Sequence, residues 1–327
     1  MTEDAVADAD HLLGLGRARD AVALIERAGA AGDSAALFRH AIWKLAGQPI
    51  ARDLPGARAL LRRATELGDL DAALIEIALT GNGSGAPADW PRARALLERA
   101  AERSDVAGTQ RDLLSAMALT DDGTPIDPPV AERIGTRPDV WHVPQLFTPD
   151  ECRHVAECAV DMLQPAVVAD PKTGRNVANP VRTSDGAVIG PTRETLVVQA
   201  LNRRIAHVTD TDWRQGEALS VLRYRVGQQF RAHVDALPAT TNQRIRTVLV
   251  YLNDGFGGGA TYFVGNALRV TPRTGSAIIF DNVTAAGAVD PTTQHAGEPV
   301  THGTKWLATR WIRARAFDVW TGPENAA

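Results

Sequence analysis

The sequence predicts a multidomain α+β chain, with an N-terminal α-solenoid of helical hairpins followed by a jelly roll of short antiparallel strands with flanking helices. Three observations carry this expectation. Residues 53–61 and 89–97 repeat one another at an offset of 36. A stretch rich in Pro, Gly and Asp then interrupts the pattern over 120–138. From Ala218 onward, short apolar runs alternate with turn sequences. The expected boundaries are 1–119 for the repeat domain, 120–138 for a proline-rich linker and 139–320 for the second domain.

In the repeat, Asp53-Leu54-Pro55-Gly56-Ala57-Arg58-Ala59-Leu60-Leu61 matches Asp89-Trp90-Pro91-Arg92-Ala93-Arg94-Ala95-Leu96-Leu97, and Asp69 matches Asp105. One more step back finds Leu24, Ala28, Gly32 and Asp33. Three copies at one period indicate stacked helix–turn–helix units, because one hairpin cannot bury its apolar face alone. Small alanines let the helices approach, and Pro55 and Pro91 fall near helix starts, where a missing N–H is harmless. Residues 3–15 are expected to form a lone capping helix. Stacked repeats of this kind present a concave surface suited to a partner.

Beyond the linker a short strand is expected around 140–143, then a helix with Thr148 as N-cap and Pro149 at its first position, running to about Leu163. Residues 165–190 read as loop with short strands, a candidate flap, and 191–210 return to helical spacing. Strands are expected at 218–226, 230–235, 245–252, 259–264, 267–271, 276–281, 293–296 and 305–316. Short antiparallel strands in this number suit a double-sheet jelly roll.

Net charge of −4 argues against a general binder of polyanions such as nucleic acid. No apolar run approaches the ~20 residues of a membrane span, and Met1-Thr2-Glu3-Asp4 lacks the basic-then-apolar order of a signal peptide. Cys152 and Cys158 face opposite sides of their expected helix and should stay unpaired thiols. A cytoplasmic protein is expected.

The chemistry concentrates between Tyr224 and Trp311. His233-Val234-Asp235 lies in an expected strand, where alternation puts both ligating side chains on one face. His295 adds a second imidazole. Two imidazoles and one carboxylate suit one face of an octahedral Fe(II), leaving positions for O2 and a co-substrate. Lys305 follows in the apolar setting of Trp306, Leu307 and Ala308, where a cation can bind the carboxylate of an organic acid. His302 is the nearest competing ligand, but Thr301-His302-Gly303-Thr304 reads as a solvated turn.

Taken in order, Phe147 to Cys152, Arg182-Thr183-Ser184, Tyr224 to Asp235, Gln243 to Asn253, Gly258-Gly259-Ala260-Thr261 and His295 to Trp311 resemble the catalytic domain of the prolyl 4-hydroxylase group of Fe(II)/2-oxoglutarate dioxygenases. The repeat resembles Sel1-like repeats, relatives of tetratricopeptide repeats. The first resemblance implies a double-stranded β-helix with iron at its open end, held by His233, Asp235 and His295. It implies Lys305, Tyr224 and Thr261 around the distal carboxylate of 2-oxoglutarate, and Arg244, Trp311 and Phe230 at the substrate. It also implies O2 as co-substrate, ascorbate as reductant, and hydroxylation of an unactivated C–H bond with release of succinate and CO2.

Three positions depart from that pattern. Phe230 stands where a tyrosine is common, Ala260 replaces an acidic residue, and Arg313 stands where some relatives have His. Phe230 is three residues before His233, so on a regular strand it would face away; a bulge at Arg231-Ala232 is needed to turn it inward. The leading expectation is a hydroxylase of a prolyl residue in a protein or peptide, recruited in part by the repeat. The alternatives are a hydroxylase of a free amino acid or small metabolite, and a repeat-based adaptor with an oxygen- or 2-oxoglutarate-sensing domain.

Overall fold

The computed structural model describes residues 4–169 and 176–321, which divide into two units. The first takes residues up to Met117, with Asp121–Gly123 and Pro191–Gln199. Its helices are α1 (Ala5–Gly14), α2 (Ala18–Ala30), α3 (Ser34–Ala46), α4 (Leu54–Glu66), α5 (Leu70–Asn82), α6 (Trp90–Ala101) and α7 (Asp105–Ala116).

The aspartates of the repeat mark where these helices begin. Asp33, Asp53, Asp69 and Asp89 each precede a helix and accept a backbone N–H from its first turn, satisfying a donor that has no partner within the helix. The last copy departs from the pattern. Asp105 is already helical, and the Ser104 hydroxyl caps α7 by accepting from Ala107 N. The expected capping helix is α1, whose Ala9 packs into one buried cluster with Ala21, Ile25, Ala36 and Trp43.

Pro191–Gln199, expected within the second domain, belongs to the first unit. Asn82 Nδ2 donates to Pro191 O at 2.9 Å, and Gln199 Nε2 donates to Ala78 O at 3.0 Å. Gly81 is required there, since a Cβ would meet Leu196 at 2.5 Å and Gln199 at 2.6 Å. This packing joins residues far apart in sequence, which helical periodicity does not report.

The second unit carries α8 (Pro149–Glu157) and most of α9 (Leu196–Val208). Its first strands are β1 (Glu132–Thr136), β2 (Asp139–Val143), β3 (Gln164–Pro165), β4 (Val167–Ala169), β5 (Asn176–Ala178) and β6 (Asp185–Ile189). The barrel strands proper follow as β7 (Leu219–Tyr224), β8 (Phe230–His233), β9 (Arg244–Tyr251), β10 (Gly257–Gly258) and β11 (Thr261–Phe263). The chain ends with β12 (Arg269–Val270), β13 (Ala277–Asp281), β14 (His295–Gly297), β15 (Val300–His302) and β16 (Lys305–Arg313).

An eight-stranded sheet has the order β1-β2-β13-β9-β16-β7-β6-β3, and a four-stranded sheet the order β12-β11-β14-β8. The pairs β10-β15 and β4-β5 complete the set. One core joins the two larger sheets: Leu222, Tyr251, Ile278 and Phe280 from the first meet Phe263 and Val270 from the second. This is the jelly-roll arrangement.

Four local expectations are corrected. β1 forms inside the segment expected to be linker, pairing with β2 through Arg133↔Trp141. Its residues are largely exposed, so no alternation marked it. The helix expected to reach Leu163 ends at Glu157, and a short 3₁₀ turn takes Val160–Met162. His302 lies at the end of β15, paired with Gly257, although its side chain is exposed as expected. The expected strand 230–235 stops at His233, leaving Asp235 just beyond it. Residues 170–175, the middle of the candidate flap, lie outside the described residues. Among the described residues no helix is long and apolar enough to cross a membrane.

Candidate active site

Three neighbouring strands of the large sheet build one wall. Along β16, Lys305, Leu307, Thr309 and Trp311 are spaced by two and therefore share a face, and all four line a single cavity. The register sets Tyr224 of β7 opposite Lys305, and Tyr251, Leu249 and Thr247 of β9 opposite Leu307, Thr309 and Trp311. Direct pairs of this kind bring side chains into contact across strands. The small sheet supplies the facing wall, with Phe230, His233, Thr261, His295 and Gly297.

His233 and His295 stand opposite one another across β8 and β14. Asp235 completes a set whose ligating atoms all lie within 4.8 Å of one another, the sole such His, Cys, Asp or Glu group among the described residues. His233 Nδ1 lies 2.8 Å from Arg231 O, and His295 Nδ1 lies 3.0 Å from Thr293 O. A carbonyl can only accept, so each Nδ1 carries a proton and each Nε2 faces the site. Those Nε2 atoms lie 3.6 and 3.9 Å from the Asp235 carboxylate.

The carboxylate is itself oriented. Thr247 Oγ1 donates to Asp235 Oδ2 at 2.7 Å, and Asn282 Nδ2 donates to Thr247 Oγ1 at 2.9 Å. Burial works to raise the Asp235 pKa, but hydrogen bonding to His233, the charges of both imidazoles and the Thr247 hydroxyl outweigh it and hold the group below its ordinary range. The acid is therefore an anion at neutral pH. Burial lowers the pKa of His295, which favours the neutral imidazole that a metal requires.

At the inner end lies Lys305, only 2% exposed. Its Nζ donates to Gly259 O at 2.7 Å and sits 5.3 and 5.5 Å from the ring centres of Tyr224 and Tyr251. Burial pushes its pKa down to about 7, against the pull of Glu298. Among the described residues it enters no ion pair. Tyr251 Oη donates to Thr261 Oγ1 at 2.7 Å, so two hydroxyls converge near the ammonium. Burial pushes the Tyr224 phenol up to about 12 and raises that of Tyr251 too, so both remain O–H donors.

The remaining predicted positions divide. Three residues on β8, from Phe230 to His233, span the two from Gly297 to His295 on β14, and this bulge turns Phe230 inward. The Phe230 ring stacks on His233 with centroids 3.5 Å apart. Trp311 lines the cavity mouth. Arg244 does not line it. Arg244 pairs with Glu217 at 2.6 Å, a carboxylate shared with Arg313 at the same distance, and lies over the Trp311 ring at 3.9 Å. Arg313 is buried in that network, and Ala260 is buried with its carbonyl accepting from Glu298 N.

Sequence reading missed Thr247, Tyr251 and Thr309. All three take their places from the register of β9 against β16. Thr309 Oγ1 and Trp311 Nε1 are buried without a hydrogen-bond partner among the described residues. Two imidazoles, a fixed carboxylate, a buried ammonium and two donors without a partner among the described residues in one cavity fit a divalent metal together with an anionic co-substrate.

The sequence profile of the 2OG-Fe(II) oxygenase superfamily matches residues 219–313. Prolyl 4-hydroxylase 1 of Arabidopsis thaliana is 32% identical over 204 residues, spanning 57% of this chain and 72% of that protein. The 2OG complex of the viral collagen prolyl hydroxylase vCPH from Paramecium Bursaria Chlorella virus-1 overlays with a TM-score of 0.44 at 24% identity, covering 54% of this chain and 96% of that one. A Sel1 repeat protein from Oxalobacter formigenes overlays with a TM-score of 0.31 at 24% identity, covering 35% of this chain and 52% of that one.

Proposed function

Since this chain belongs to the prolyl 4-hydroxylase family of 2-oxoglutarate-dependent dioxygenases, we propose that its second unit hydroxylates an unactivated C–H bond of a prolyl residue in a protein or peptide, consuming 2-oxoglutarate and O2 and releasing succinate and CO2. His233, Asp235 and His295 would hold Fe(II), which when bound supplies the redox chemistry that no side chain offers. The observation that carries the reading is the buried Lys305 ammonium, unpaired among the described residues and lining the same cavity as the two imidazoles and the carboxylate. A buried charge without a partner is unfavourable, and a dicarboxylate reaching in from the metal side would remove that penalty.

The chain's own groups then have distinct tasks. Lys305 with Thr261, Tyr251 and Tyr224 would bind the distal carboxylate of the co-substrate. Asn282 and Thr247 hold the Asp235 carboxylate in place. Leu222, Leu249 and Leu307 keep the inner cavity apolar and dry. Trp311, with Arg244 stacked behind it, forms the mouth where substrate would lie. Cys152 and Cys158 stand as thiols rather than as a disulfide, in keeping with the cytoplasmic setting we propose.

The test is incubation of the purified protein with Fe(II), 2-oxoglutarate, ascorbate and a cell extract. Succinate should rise with added extract, and a peptide carrying one extra oxygen on proline should appear by mass spectrometry. An oxygen found only in the small-molecule fraction would replace the peptide with a metabolite. Extract-independent succinate at trace level, with no oxygenated product, would support a sensing adaptor.

A further inference from the structure

The repeat carries a second cavity of ≈ 580 Å³, lined by Arg58, Arg62 and Arg92 and by the loop leading to Asp89. We propose that this cavity is an anion site that takes the carboxylates of an extended acidic peptide, with Arg58 at its floor and Arg62 and Arg92 at its rim.

Arg58 is only 8% exposed. Its Nη2 donates to Thr80 Oγ1 at 2.9 Å, while Nη1 is buried without a partner among the described residues. A buried guanidinium with an unused donor is costly unless something accepts from it. The acids nearby do not answer the need. Asp89 is occupied as the cap of α6. Glu76 is itself buried, and its closest contact to Arg62 is 3.7 Å, beyond a hydrogen bond. Burial and the like charges of Arg62 and Arg92 lower the Arg58 pKa against the opposing pull of Glu76 and Asp89.

The repeat itself shows that folding does not demand Arg62 and Arg92, whereas Arg58 recurs as Arg94 in the next copy. At the position of Arg62 the flanking copies carry Glu26 and Glu98, and at that of Arg92 they carry Asp20 and Gly56. Arg62 and Arg92, from successive copies, stand outside the repeat pattern, whereas the caps and core alanines recur. A shape argument selects the ligand. A neighbouring cavity of ≈ 450 Å³ shares Arg62 and Arg92 with the first and sets them, with Arg99 and Arg103, among Glu66, Asp69, Glu76 and Glu102, so an extended chain whose acidic side chains sit in the first cavity meets mixed charge in the second. An extended chain running from one to the other passes both guanidiniums, whereas a small acid fills only one. Nothing in this site depends on the chemistry of the second unit, so its failure would leave the oxygenase reading intact.

The test uses the full chain and a fluorescein-labelled hexaglutamate peptide, read by anisotropy at low salt. Arg62→Gln with Arg92→Gln should weaken binding at least ~10-fold, as expected for loss of charge-assisted contacts. Arg19→Gln with Arg27→Gln removes the same charge elsewhere on the repeat and should change binding less than ~2-fold. Arg58→Gln tests the floor, and thermal melts of all variants confirm that they are folded. Equal weakening in the two double variants would overturn the site. So would displacement of the peptide by an oligothymidylate or by glutarate at matching concentration, or absence of binding to the parent protein.

Discussion

The Phe230 ring lies flat on the His233 imidazole, with centroids 3.5 Å apart and planes 12° from parallel. The contact exists only because a bulge in β8 offsets the strand by one residue against β14. It fixes the ring plane of His233 from one side, while Arg231 O fixes its Nδ1. Phe230→Tyr preserves the stack and adds a hydroxyl at the cavity wall. It should leave 2-oxoglutarate decay without substrate nearly intact and change which substrates are used. Phe230→Ala should loosen His233 and weaken Fe(II) retention, measured by metal titration. A tyrosine variant identical to the parent on every substrate would make Phe230 a packing residue alone.

Thr247→Val removes the hydroxyl that orients Asp235 while keeping the side chain's volume. Partners of metal ligands are typically worth about 10- to 100-fold in metal affinity. A loss in that range is expected, with 2-oxoglutarate saturation restored at high Fe(II). Unchanged metal affinity would show that the imidazoles alone position the carboxylate.

Asp235→Ala should abolish iron binding and succinate formation while the chain stays folded. The carboxylate is buried and hydrogen-bonded, but the surrounding sheets close through Phe263, Val270, Ile278 and Phe280 rather than through the carboxylate. Circular dichroism should match the parent. Normal succinate production by the variant would remove Asp235 from the reaction.

Lys305→Met should raise the KM for 2-oxoglutarate sharply and leave metal affinity little changed. Its stability should also carry a pH signature. An unfolded lysine titrates near about 10.4, whereas burial holds Lys305 at about 7 in the folded chain. Between those values the unfolded chain binds the extra proton, so the parent gains stability as pH rises through that window and is penalised most at and below about pH 7. The methionine variant lacks this slope. Its Tm advantage over the ligand-free parent should be largest near neutral pH and shrink toward pH 10. A pH-independent gap would mean that the ammonium is not buried in solution.

Gly259→Ala should disturb the same corner from the backbone side. Gly259 has φ of +64°, and a Cβ there would meet Phe256 Cε2 at 2.8 Å and Lys305 Cδ at 3.1 Å. The left-handed conformation alone costs about 1–2 kcal/mol for an L-residue. A lower Tm and a raised KM for 2-oxoglutarate are expected together. A drop in Tm with an unchanged KM would separate Gly259 from the carboxylate site.

Much of this molecule was legible in one dimension. The 36-residue offset and its aspartates mark the helix starts, because capping is a local bond between a side chain and its own next turn. The His-x-Asp spacing, the later His295 and Lys305 point to candidate site residues, and the structure groups them in one cavity. Capping survives in sequence because it acts within a few residues, whereas His233 and Asp235 share the site although β8 stops at His233. Tertiary structure alone decided the rest. The inward turn of Phe230 depends on a mismatch between two strands. The withdrawal of Arg244 depends on Glu217, and the placing of Thr247, Tyr251 and Thr309 depends on strand register. Pro191–Gln199 joins the first unit through Asn82 and Ala78, distant in the chain. Each of these is settled by which side chain can fill a space or satisfy a buried charge across sequence gaps, and no local pattern encodes that choice.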